Sequence, residues 1–133
     1  MSPRQESPEA EHRSAVILWA AMLFAVVMYY VVIRTVQPDQ ATENPTVVRI
    51  LLVFAVICAL ASFVVKNMLL ARARTMNKPA LRRIGLILAL ALSEAAAVYG
   101  VAVWFMTGWP RSYIFLLIGG AAIVLHYPAR EEA

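Results

Sequence analysis

Hydrophobic positions along the chain fall into four long runs separated by short polar stretches. Residues 15–33 carry no charge, and Arg13 and Arg34 bracket them. At about 1.5 Å per residue that run is about 28 Å long, close to the hydrocarbon thickness of a bilayer. Trp19 lies near one of its ends and Tyr29 and Tyr30 near the other, where amphipathic aromatics mark a membrane interface. The second run covers residues 48–70. Asn44-Pro45 ahead of it reads as an N-cap followed by proline in the first turn. Its uncharged part, residues 50–65, is about 24 Å long, and snorkelling by Arg49 and Lys66 makes up the difference. Asn77 and Pro79 predict the break before a third run, residues 82–106, which Glu94 alone interrupts beyond Arg83. Thr107-Gly108-Trp109-Pro110 predicts a tight turn with glycine at a C-cap. The fourth run, residues 111–127, ends at Pro128. Residues 1–14 are polar, contain two prolines and predict a flexible tail rather than a signal peptide.

The pattern predicts an all-α protein: one integral membrane four-helix bundle over residues 15–128. Composition agrees. Hydrophobic residues make up 62% of the 133 positions and charged ones 15%, against about 25% charged in a soluble domain. A water-soluble domain of this size has too little interior to hide four such runs.

The net charge of +4 comes mainly from one connection that carries Lys66, Arg72, Arg74, Lys78, Arg82 and Arg83 and no acid. In a four-span arrangement only Arg34, Arg49 and Arg111, of the 12 Lys and Arg residues, fall on the opposite side. The positive-inside rule then places both termini in the cytoplasm. Arg72, Arg74, Lys78, Arg82 and Arg83 are expected against anionic lipid headgroups. No aromatic-interleaved basic patch exists, so nucleic acid is not the expected partner. Cys58 is the single cysteine and reads as a small core residue.

Glu94 is the residue that could carry chemistry. It lies about 15 Å from Ile84 and about 18 Å from Met106, which is mid-span. An ionisable group there costs at least ~2.5–3.5 kcal/mol on insertion scales and needs a partner. Arg34, Arg49 and Lys66 are at span ends, so no basic residue matches its depth. Ser62 and Ser93 match, and they and backbone carbonyls of neighbouring helices are the expected hydrogen-bond partners at a proton-binding position.

Around Glu94 the side chains are small. Gly85, Ala89, Ser93 and Ala97 recur every four residues on one face, and Gly100 extends it. This spacing lets helix backbones approach closely. Gly119 and Gly120 in the fourth run form a second small patch, expected to receive the Glu94 helix or a second copy of the chain.

The stretch Arg83-Ile84-Gly85-Leu86-Ile87-Leu88-Ala89-Leu90-Ala91-Leu92-Ser93-Glu94-Ala95-Ala96-Ala97-Val98-Tyr99-Gly100-Val101 resembles the acid-bearing second helix of F-type ATP synthase subunit c, the proteolipid. Asn77-Lys78-Pro79 is similar to the polar loop before that helix. The resemblance covers about thirty residues and implies that Glu94 carries a proton. The whole chain also resembles a group of small bacterial four-span membrane proteins, through Glu94-Ala95-Ala96-Ala97-Val98-Tyr99-Gly100 and the closing Tyr127-Pro128.

His12 and His126 are the two histidines. His126 reads as an interfacial side chain beside Pro128, and the pair gives no metal or haem ligand set, so no cofactor is expected. No phosphate-cradling glycine loop, paired carboxylate or Ser/His/acid set is present, so an enzyme is not expected. Two functional expectations remain. One is a non-enzymatic subunit or scaffold of a membrane complex or homo-oligomer, with Glu94 structural. The other is a proton-linked component in which Glu94 is protonated and deprotonated.

Overall fold

The structure, a computed structural model, describes residues 7–129. These form four helices, α1 (Pro8–Thr35), α2 (Pro45–Met76), α3 (Pro79–Thr107) and α4 (Tyr113–Leu125). Three of them, α1, α2 and α3, are long and apolar enough to cross a membrane, and α4 is a shorter apolar helix.

Local chemistry sets the ends of the long helices beyond the apolar runs. Much of the expected flexible tail is helical: α1 starts at Pro8, not near residue 15. The Ser7 hydroxyl accepts from the Ala10 N–H at 3.3 Å, Pro8 opens the first turn, and Glu9 and Glu11 lie where the helix dipole favours acids. Residues 1–6 and 130–133, Arg130 among them, lie outside the described residues. At α2, the Asn44 side chain accepts from the Val47 N–H at 3.2 Å, with Pro45 next. The helix runs on to Met76, and Asn77 ends it in the left-handed region at φ 50°. Only Asn77 and Lys78 separate α2 from α3. The expected basic loop is therefore mostly helix, and Arg72, Arg74, Lys78 and Arg83 are exposed around that turn, with Arg82 half-buried. Hydropathy marks where a segment is apolar; caps mark where it stops being helical.

At the other end, Gly108 takes φ 64° and closes α3 with its N–H on the Trp104 carbonyl at 2.8 Å. A side chain there would be strained. Tight i→i−3 bonds from Ser112, Ile114 and Phe115 then start α4. Regular α-helix covers only Tyr113–Leu125 of the expected 111–127 span, about 20 Å. His126 and Tyr127 close its far end with bonds to Ile123 and Val124.

Helix α3 is the centre. It packs most extensively on α2, then on α4 and α1, and α4 also touches α1 and α2. Among the described residues α1 and α2 do not pack together. Tyr29 of α1 and its C-cap residue Val36 bond to Glu94 and Trp104 of α3 in the same order, so those two helices run in parallel. Trp19, in the first half of α1, donates to the carbonyl of Ile123, near the end of α4, at 2.7 Å. Helix α4 therefore returns toward the side where α1 begins. Large apolar side chains including Phe24, Leu60, Val64, Leu117 and Leu125 face outward, an arrangement that hydrocarbon tolerates and water does not.

Candidate functional site

The small face of α3 is buried along its length: Gly85, Ala89, Ser93, Ala97 and Gly100 are all inside. It serves two neighbours in turn. A Cβ on Gly85 would meet Leu69 of α2 at 3.1 Å. Higher up, the face receives α4. A Cβ on Gly119 would lie 2.6 Å from the Ser93 carbonyl oxygen and 2.8 Å from the Ala97 nitrogen, and one on Gly100 would lie 2.6 Å from the Phe115 Cβ. Helices approach this closely only where one contributes no side chain. Gly120 looks elsewhere, toward Val26 of α1 at 3.6 Å.

Glu94 is half-buried at the edge of this contact, and its partner is a phenol. The Tyr29 hydroxyl donates to Oε1 of Glu94 at 2.6 Å, within the about 2.5–3.0 Å range of O–H···O bonds. Tyr29 was expected among the interfacial aromatics. It instead lies on the inward stripe of α1 with Trp19, Met22, Val26 and Ile33. Helical side chains lean toward their own N-terminus. Because α1 and α3 are parallel, the Tyr29 phenol reaches back from near the end of α1 toward the middle of α3.

The two serines expected beside Glu94 are engaged elsewhere. Ser93 is buried and its hydroxyl donates to the Ala89 carbonyl one turn back, at 2.8 Å. A serine can satisfy itself this way within its own helix. Ser62 is fully buried, donates to the Ala59 carbonyl at 2.5 Å and lies 2.8 Å from Nε2 of His126. The direction of the bond between Ser62 Oγ and His126 Nε2 is set by the imidazole tautomer.

His126 is not interfacial. It is fully buried, and the Phe63 ring lies against the imidazole with centroids 4.3 Å apart. Trp19 also turns inward, and its ring meets Tyr127 edge-on at 5.0 Å. Periodicity holds the signal for both unexpected partners. Tyr29 continues the stripe of Met22, Val26 and Ile33, and His126 continues that of Phe115, Gly119 and Ile123. No group of three metal-ligating side chains occurs among the described residues.

The Ser62–His126 pair gives a sharp test. Ser62→Ala leaves Nε2 of His126 without this partner and should cost about 1 kcal/mol in a detergent unfolding titration. Ser62→Ala combined with His126→Phe removes both polar groups and should recover most of that loss. A double variant as weak as the sum of the singles would show that the pair does not couple.

A cavity of about 290 Å³ opens at the other end of the bundle, where Tyr30 and Arg34 of α1 face Trp104, Pro110 and Ser112. Glu94 is not among its lining residues. No protein-family model matches the chain, and neither a curated protein nor a solved structure matches it.

Proposed function

We propose that the chain is a multi-pass membrane protein of four spans that works without catalysis, as a subunit or scaffold of a membrane assembly. The observation that carries this reading is the Tyr29–Glu94 hydrogen bond. Helix α1 makes no contact with α2 among the described residues and rests on α3 and α4 alone. A mid-helix carboxyl paired with a phenol fixes its rotation and height against α3. An intramembrane acid needs such a partner, and here the pairing joins two helices of one chain. The outward apolar faces of α1 and α2 suit lipid, a membrane-embedded partner or a second copy.

Both termini face the cytoplasm in this proposal. The return of α4 to the side where α1 begins supports a shared side, and the charges around the α2–α3 turn support its being the inner one. In a Cys58→Ala background, a cysteine at Gln40 should react with a membrane-impermeant thiol reagent in intact cells and one at Arg74 should not. The reverse pattern would overturn the orientation. Solubilisation in mild detergent, followed by identification of what co-purifies, tests the subunit role. A chain that migrates as a bare monomer from native membranes would sink it.

The second reading is a proton-linked component, similar in its acid to the proteolipid of ATP synthase. It is favoured by the pairing of two titratable groups, Tyr29 and Glu94, neither of them fully buried. Infrared difference spectra between acid and alkaline pH separate the two readings. A carboxyl band lost in Glu94→Gln and moving with pH supports proton exchange. A band that stays fixed supports the scaffold.

A further inference from the structure

The cavity at the end of α1 belongs to neither reading, and its lining has one chemical character. Arg34, in the last turn of α1, brings a guanidinium. Ser112 is 1% exposed, lines the same cavity, and its hydroxyl caps no backbone N–H of α4. Ser112 is the N-cap residue of α4, so the positive end of that helix dipole is at the same place. No carboxylate is among the lining residues. Tyr30, Trp104 and Tyr113 supply aromatic walls, and the Trp104 indole is held by its bond to the Val36 carbonyl at 2.8 Å. The volume, about 290 Å³, is roughly ten times the ~30 Å³ share of one water in the liquid.

We propose that this cavity is a binding site for a phosphate group, held between the Arg34 guanidinium and the Ser112 hydroxyl at the amino end of α4. A guanidinium engages two phosphate oxygens at once. A serine hydroxyl favours the same charge, and the dipole of α4 adds to it, although the N–H groups of Ser112, Ile114 and Phe115 are bonded within the first turn. The group is either the phosphodiester of a lipid or a free phosphate, and the lipid source rests on the multi-pass reading above. In that source the aromatic walls hold the glycerol and the first carbons of the chains, as interfacial aromatics do.

The test uses the full chain purified in a neutral, phosphate-free detergent. Native mass spectrometry with added phosphatidylglycerol should show a one-to-one adduct, and diacylglycerol, which lacks the phosphate, should not form it. Excess inorganic phosphate separates the sources: displacement of the lipid points to a site for free phosphate, and persistence to a lipid site. Arg34→Gln should weaken binding at least ten-fold and Ser112→Ala several-fold. Arg49→Gln, an exposed arginine outside the cavity, should leave binding unchanged. Arg34→Lys keeps the charge without the two-pronged geometry and should fall between; it also serves if the glutamine variant misfolds. Equal adducts with phosphatidylglycerol and diacylglycerol, together with no binding of inorganic phosphate, would overturn the proposal. So would unchanged phosphate binding in both Arg34 variants.

Discussion

Gly119→Ala should leave the protein about 1–3 kcal/mol less stable than Gly120→Ala, one position along. The contrast follows from what each new methyl group meets. At Gly119 it would lie 2.6 Å from the Ser93 carbonyl oxygen, 2.8 Å from the Ala97 nitrogen and 2.9 Å from the Ala97 Cβ. Two of these are backbone atoms of α3, so no rotamer change relieves the clash and the helices must part. Overpacking of that kind costs on the order of 1–3 kcal/mol. At Gly120 the nearest atom is Cγ1 of Val26 at 3.6 Å, an ordinary contact. Both substitutions gain the same helix propensity, roughly 1 kcal/mol, so it cancels in the comparison. Unfolding titrations in mixed micelles, followed by circular dichroism, measure the difference. Equal stability of the two variants would mean that α4 does not seat on the small face of α3.

The second large effect concerns Tyr29 and Glu94. Tyr29→Phe keeps the ring and removes the donor, leaving the Glu94 carboxyl without this partner, at about 1–3 kcal/mol. Glu94→Gln keeps an acceptor oxygen of nearly the same shape and should be milder. The double variant should lose less than the two singles combined, with a coupling of about 0.6 kcal/mol, the average for hydrogen bonds between membrane helices, and no more than about 1.7. Because α1 rests on α3 and α4 alone, protease access to α1 should rise in Tyr29→Phe before the α2–α3 hairpin opens. Zero coupling, with α1 unchanged, would remove the pair from its place in the scaffold proposal.

Much of the fold was legible in the sequence. Uncharged runs located α1, α2 and α3, and Asn44-Pro45, Asn77, Gly108 and Pro128 located their connections. The small residues at every fourth position marked the face of α3 that its neighbours use. The ends of α1 and α2 were less legible. Ser7-Pro8-Glu9 is a capping signal inside a polar segment, and the α2–α3 hairpin stays helical through charged residues that hydropathy assigns to a loop. Partner choice was the hardest to read. Depth matching selected Ser62 and Ser93 for Glu94, but a serine can satisfy itself on its own helix, and both do. Tyr29 and His126 were read as interfacial because each is polar near a run's end. Their helical stripes point inward, and the angular position of a side chain decides its contacts as much as its depth does.

The seat of α4 has a consequence for biosynthesis. The concavity that accepts Gly119, bounded by Ser93 and Ala97, belongs to α3, and the Trp19 and Ser62 side chains that meet the far end of α4 belong to α1 and α2. All three are translated before α4. The nascent chain therefore passes through a stage in which a finished cradle stands open, with the Ser62 hydroxyl and the backbone around Ser93 uncovered. A helix of about 20 Å is held by its packing on α1, α2 and α3. Chains truncated before and after α4 should differ in protease resistance across α3, because α4 covers the backbone around Ser93 and Ala97.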